Sequence, residues 1–80
     1  MPDDQFSRLL DFMRRLDTAK IAHRLLSFRD DSICVEVTVP GERWEVEFMQ
    51  GGGIEVERFV SVAGIEDEQV LEALFRDFSD

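Results

Sequence analysis

Five glutamates in the middle of the chain, four of them in two pairs with a spacing of two, are the residues best placed for chemistry. Ionised carboxylates accept charge-assisted hydrogen bonds from lysine and arginine, and they can also bind divalent cations. If the five share one face of a sheet, they form a negative surface that attracts a basic protein or a cation. They are Glu36, Glu45, Glu47, Glu55 and Glu57.

The other residue types with reactive side chains occur in less informative patterns. His23 has no nucleophile or base near it in the sequence, and a histidine at a strand edge is expected. The three glycines at 51–53 precede a strand with no lysine after them, whereas a phosphate-binding loop needs a helix N-terminus and usually a lysine. Because no acid–base pair or nucleophile arrangement can be assembled, the sequence predicts no enzymatic activity and no cofactor.

The glutamates lie in three segments whose apolar and polar residues alternate, which predicts strands with one buried and one wet face. These strands span residues 32–39, 43–48 and 54–60. The register that matches the apolar residues pairs Val37 with Trp44, Val35 with Val46, Ile33 with Phe48, Val46 with Val56, and Phe48 with Ile54. The apolar side chains, Trp44 included, therefore point to the core.

The same register places the glutamates together on the other face. Glu45 lies opposite both Glu36 and Glu57, and Glu47 lies between Cys34 and Glu55. Like charges directly opposite each other destabilise a sheet, and the expected compensation is limited to arginines 43 and 58. The glutamate beside Cys34 is expected to raise the pKa of its thiol.

Two interpretations of these carboxylates stay open. Either they form a binding face, or they only keep an exposed sheet face soluble. A divalent metal site is a third alternative. Residues on one face of a strand are roughly 7 Å apart, too far for a compact oxygen cage, so no metal is expected.

Two amphipathic helices are predicted at the ends of the chain. The first is capped by Asp3 or Asp4 and ends near Asp17, and Phe12 lies at the margin of its apolar stripe. That stripe contains Phe6, Leu9, Leu10, Met13 and Leu16. The last helix is capped by Glu66 or Asp67, after residues 61–65 have left the sheet. Its stripe contains Val70, Leu71, Leu74, Phe75 and Phe78.

Residues 20–29 are interpreted as a first strand, because the next strand begins only three residues after Phe28 and a turn with two aspartates lies between them. A continuous helix over residues 4–28 is the alternative. The resulting order, α-β-β-β-β-α, predicts an α+β fold over residues 1–80. This fold is a two-layer sandwich, a four-stranded antiparallel meander with the N- and C-terminal helices on one face.

Phe59 interrupts the alternation of its strand. If Arg58 and Phe59 continue the parity of Ile54 and Val56, Phe59 points outward with Leu25 and Ile21 as a small apolar patch beside the carboxylates. Such a patch would suit a partner or a second copy of the chain, and a bulge near Arg58 would instead turn Phe59 inward.

Composition narrows the class of partner. The net charge is −9, and residues 31–80 carry thirteen acidic against three basic side chains. A negative surface repels nucleic acid and anionic membranes, so neither is expected as a partner. A single cysteine, no signal-peptide pattern and no apolar run of about 20 residues predict a cytoplasmic protein.

The run over residues 37–48, followed by a glycine loop and residues 54–57, resembles a group of short acidic bacterial hypothetical proteins. We associate small acidic proteins of this kind with the immunity partners of secreted polymorphic toxins. The resemblance covers roughly residues 20–60 and extends weakly into the last helix, and it implies no enzymatic activity.

The leading functional hypothesis is a protein-binding module whose glutamates and Phe59 bind a basic protein, with toxin neutralisation as the specific case. The alternative is a structural or scaffolding homodimer that uses the open sheet or an edge strand.

Overall fold

The protein folds as one antiparallel sheet with a helix from each end of the chain, and the computed structural model describes residues 4–60, 64–66 and 68–78. The strands follow one another in sequence order across the sheet. The predicted α+β fold, with a four-stranded meander and two terminal helices, is confirmed. The elements are α1 (Gln5–Thr18), β1 (Ala22–Leu26), β2 (Ser32–Val39), β3 (Glu42–Met49), β4 (Ile54–Phe59), β5 (Gly64–Glu66), a 3-10 turn (Glu68–Val70) and α2 (Leu71–Phe78).

The fifth strand, β5, is absent from the sequence-based prediction. Gly64 pairs with Arg58, and Glu66 pairs with Val56, so β5 extends the sheet beyond β4. The expectation that residues 61–65 leave the sheet is therefore wrong at 64 and 65, and residues 61–63 lie outside the described part of the chain. Glu66 belongs to a strand and does not cap the last helix, and residue 67 also lies outside the described part.

The first helix begins and ends at identifiable residues. The Asp4 carboxylate accepts a hydrogen bond from the Ser7 amide at 2.7 Å, which caps the helix and lowers the pKa of Asp4. Lys20 has a φ of 60°, the left-handed conformation that ends helices after their last turn. A continuous helix through residue 28 is thereby excluded, and the predicted first strand is present as β1.

The predicted register is confirmed for each of the five apolar pairs. The hairpin between β2 and β3 is tight, because pairing continues to Val39 and Glu42 with only two residues between them. Gly41 in that turn has a φ of 79°, a conformation that favours glycine. Register and turn together fix which side chains face the helices and which face away.

Both helices pack on the same face of the sheet and form one core with it. Trp44, Leu16 and Leu74 are fully buried there, together with valines from β2, β3 and β4. Phe12 packs against Phe48 and Phe75, with ring centroids 5.7 and 6.0 Å apart. Phe12 is thus a core residue, where a position at the margin was expected.

Phe6 departs from its expected place in the apolar stripe of α1, because its side chain is 67% exposed. The buried residues of α1 are Leu9, Phe12 and Leu16, and Phe6 lies outside the helix face that they define. Among residues 4–60, 64–66 and 68–78, neither helix has the length and apolar character that crossing a bilayer requires.

Candidate protein-binding face

The five glutamates lie together on the sheet face opposite the helices, and we call them the acidic face. Glu36, Glu45 and Glu57 follow one another directly across β2, β3 and β4, and Glu47 lies opposite Glu55. Among the described elements, none packs over this side of the sheet, since the helices contribute to the core on the other side. The predicted concentration of carboxylates on one open face is confirmed.

Glu36 is the most deeply placed of the five, with a side chain that is only 11% exposed. Arg24 of β1 donates from Nε to its Oε1 at 2.6 Å, and Arg43 Nε lies 3.9 Å from its other oxygen. A buried carboxylate is costly without a partner. The two arginines therefore offset the cost of placing the Glu36 carboxylate within the sheet.

Glu47 is compensated in a similar way from the loop after β1. Arg29 donates to its two oxygens from Nε and Nη2 at 3.2 and 2.6 Å, and the Ser32 hydroxyl donates at 2.8 Å. The hydrogen bond from Arg29 is the main reason why the pKa of Glu47 lies below its ordinary value. Arg29 also lies 3.7 Å from Glu55.

Arginine compensation therefore differs from the sequence-based expectation. Arg43 is confirmed as a neighbour of the carboxylates. Arg58, by contrast, lies on the helix side of the sheet, where its guanidinium carbon is 4.6 Å from the centroid of the Trp44 ring and its Nη2 is 3.4 Å from Glu42 Oε1. Arg24 and Arg29 were missed. A register extended to β1 would have found Arg24, because Arg24 pairs with Glu36.

The side of the acidic face formed by β3 and β4 keeps most of its negative charge. Burial raises the pKa of Glu45, Arg43 at 3.9 Å opposes that rise, and Glu57 adds to it. Glu57 is exposed and forms no ion pair with any residue in the described part of the chain. These carboxylates, with Glu47 and Glu55, line a depression of about 40 Å³, which is enough for a water molecule.

Phe59 extends this surface toward the end of β4. It pairs with Arg43 on the same side as the glutamates, and the guanidinium of that arginine stacks 4.3 Å from its ring centroid. The outward direction predicted for Phe59 is confirmed. The apolar patch predicted with it is wrong, because Ile21 is buried in the core and Leu25 pairs with Val35 on the helix side.

The remaining candidate residues do not form a reactive centre. Cys34 is buried beside Glu47, and burial, with the three nearby glutamates 45, 47 and 36, raises the pKa of its thiol to about 12. The His23 Nδ1 lies 2.9 Å from the Ile21 carbonyl oxygen. Within the described ranges, no group of three or more histidine, cysteine or acidic side chains is placed to hold a metal ion.

The opposition of Glu45 and Glu57 leads to a prediction about pH. Glu45→Gln should raise the free energy of unfolding at neutral pH by a few tenths of a kcal/mol, because a cross-strand repulsion is removed. Since the folded-state pKa of Glu45 is raised, its ionisation is a cost above that pKa. The cost, and the gain from the substitution, disappear as the pH falls below the ordinary glutamate range, where both states are protonated.

Urea denaturation at about pH 7 and about pH 3.5 measures this difference. Glu72→Gln is the control, because a hydrogen bond from Arg15 lowers the pKa of Glu72 and its loss should destabilise the protein at neutral pH. An equal gain from Glu45→Gln at both pH values would contradict the electrostatic explanation.

Comparison with protein-family models, with curated proteins and with solved structures finds no match to this chain, so its function has to be inferred from the geometry of the acidic face.

Proposed function

We propose that this protein is a non-enzymatic module that binds a basic protein through its acidic face, and that this partner is a toxin which it neutralises. The observation that carries the proposal is the incomplete compensation of the acidic face. Arginines contact Glu36 and Glu47 at 2.6 Å, but arginines reach Glu45 and Glu55 only at 3.9 and 3.7 Å. Glu45, Glu55 and Glu57 therefore leave a negative surface on β3 and β4.

Incomplete compensation separates two roles within the acidic face. Glu36 and Glu47 have side chains that are 11% and 17% exposed, and they hold Arg24 and Arg29 in place. Glu55, by contrast, is 60% exposed, and Glu57 is also exposed. Basic side chains of a partner would therefore contact Glu55 and Glu57 first. Glu45, on the central strand β3, is less exposed and would be reached after them.

Phe59 gives this surface an apolar border. Its ring is half-buried under the Arg43 guanidinium, and it ends the row that Glu55 and Glu57 begin along β4. Aromatic residues next to charged groups are typical of the energetically important parts of protein interfaces. A partner that pairs with the glutamates could also bury the free side of this ring.

A basic toxin fits this surface for an electrostatic reason. Opposite charges on two proteins increase the rate of association and discriminate against wrong partners, more than they increase affinity. Rapid capture is what neutralisation of a toxin requires. The resemblance to small acidic bacterial proteins supports the same partner class, and a gene for a large secreted toxin next to the gene for this chain would support it independently.

The Glu45→Gln, Glu57→Gln double variant tests the binding role. The wild-type chain is used to isolate a binding protein from its source organism, and the association rate of the purified pair is measured over a range of salt concentrations. We expect the variant to associate about three to ten times more slowly than wild type at low salt. We expect this difference in rate to vanish at a salt concentration of about 0.5 M.

A charge-matched control separates this surface from net charge. Asp11→Asn with Asp77→Asn removes the same two negative charges from the exposed helix surfaces, and it should leave the association rate close to wild type. If the glutamates only solvate the sheet, both double variants will associate at the same rate, and the proposal fails.

A further inference from the structure

Four large apolar side chains in the described part of the chain are well exposed. Phe6 starts α1, Leu25 lies in β1, Phe28 lies in the loop after β1, and Ile33 lies near the start of β2. Their exposed fractions are 67%, 50%, 59% and 38%. Exposed apolar side chains that lie together mark interaction sites, whereas single ones need no explanation.

Two of these side chains, Phe6 and Ile33, line a cleft of about 330 Å³ between the start of α1 and the start of β2. Leu9 and Phe48 complete its apolar wall. We call it the β1–β2 cleft, after the loop between β1 and β2 that borders it. Its volume is at the lower limit for small-molecule sites. The β1–β2 cleft therefore suits one large apolar side chain of another protein.

The rim of the β1–β2 cleft is acidic. Asp30 and Asp31 line it, both are exposed, and neither forms an ion pair with a residue in the described part of the chain. Arg29 precedes them, but its guanidinium is hydrogen-bonded to Glu47, and its electrostatic interaction with Asp31 is weaker. An apolar floor with negative charge at its mouth favours an apolar side chain that has cationic neighbours.

We propose that the β1–β2 cleft binds a peptide segment of a partner protein in which a large apolar side chain is flanked by lysine or arginine. The apolar side chain packs between Phe6 and Ile33, and the basic side chains pair with Asp30 and Asp31. This site lies on the helix side of the sheet, since Ile33 pairs with Phe48 there. It is separate from the acidic face, and its test does not depend on that proposal.

Synthetic peptides test this site by NMR titration of the isotope-labelled chain. The probe is the acetylated peptide Gly-Ser-Lys-Phe-Lys-Ser-Gly, and two controls replace Phe with Ala or both Lys with Glu. We expect the amides of Ile33 and Phe48 to shift and saturate, with the probe binding about tenfold more tightly than the Ala peptide, because one aromatic side chain is buried. The Glu peptide should bind more weakly than the probe.

Two variants of the chain make the assignment specific. Phe6→Ser removes one wall of the β1–β2 cleft at an exposed position, and it should weaken binding of the probe peptide about fivefold or more. Phe28→Ser removes a phenylalanine of similar exposure that does not line the β1–β2 cleft, and it should leave binding unchanged. Backbone spectra of both variants should match that of the wild type, which would show that the fold is retained.

Three results would overturn the proposal. The first is equal binding of the probe to the Phe6→Ser variant and to wild type. The second is equal binding of the Lys and Glu peptides, which would remove the role of Asp30 and Asp31. The third is a concentration-dependent shift of the same amides without any peptide, which would show that a second copy of the chain occupies the β1–β2 cleft.

Discussion

Trp44→Ala should cost about 3–5 kcal/mol of folding free energy, the largest effect that we expect from a single substitution. Trp44 is fully buried at the centre of the sheet, pairs with Val37 on one side and Arg58 on the other, and contributes to the core below the helices. A domain of this size is stable by only about 4–12 kcal/mol, so the variant should be largely unfolded on moderate warming.

Circular dichroism during urea denaturation measures this loss, because Trp44 is the only tryptophan and its fluorescence is removed with it. Trp44→Phe is the matched control. It keeps an aromatic ring in the core but loses the hydrogen bond from Nε1 to Glu42 at 2.8 Å, and it should cost about half as much or less. Equal losses for both variants would show that the hydrogen bond, and not the buried volume, is decisive.

Arg24→Met should have the second largest effect, a loss of about 1.5–2.5 kcal/mol. Removing one partner of a buried ion pair costs about 3–5 kcal/mol, because the other charge stays buried. The figure is smaller here because the Arg24 side chain is 68% exposed and because Arg43 remains 3.9 Å from Glu36. The midpoint of urea denaturation gives the loss directly.

A double-mutant cycle identifies the cause of that loss. In the Glu36→Gln background, Arg24→Met should cost less than about 0.5 kcal/mol, because the buried charge that Arg24 compensates is gone. Arg14→Met is the external control, since Arg14 pairs with Asp11 on a fully solvated helix surface and both side chains are more than 70% exposed. A loss from Arg24→Met that is unchanged without the Glu36 charge would mean that Arg24 acts through packing alone.

The central strands could be predicted from the sequence because each local signal agreed with the others. Apolar alternation fixed the side of Trp44 and Val46, and matching the apolar residues of β2 and β3 brought Val37 opposite Trp44. A shift of register by one residue would have moved every glutamate to the core, so the physical alternatives were few. The position of the acidic face follows from the same reasoning.

The parts that could not be predicted depend on tertiary contacts. β5 has only three described residues, too few for a visible alternation, and its pairing with β4 defines it. Phe12 and Phe6 are six residues apart and project about 120° from each other around α1, and only the way in which α1 is turned toward the sheet decides which of them meets Phe48. The compensation of Glu47 by Arg29 likewise depends on the path of a loop.

Over the described residues the sheet is longest at its centre and shortest at its borders, since β2 and β3 have eight residues each, β1 has five and β5 has three. A border strand offers unpaired backbone groups to other chains, and long, flat, uncharged borders start fibrils. Here both borders are short, and Arg24 places a cation in the middle of β1. We therefore expect the borders of this sheet to resist pairing with other chains, and a lengthened β1 without that cation to lose this protection.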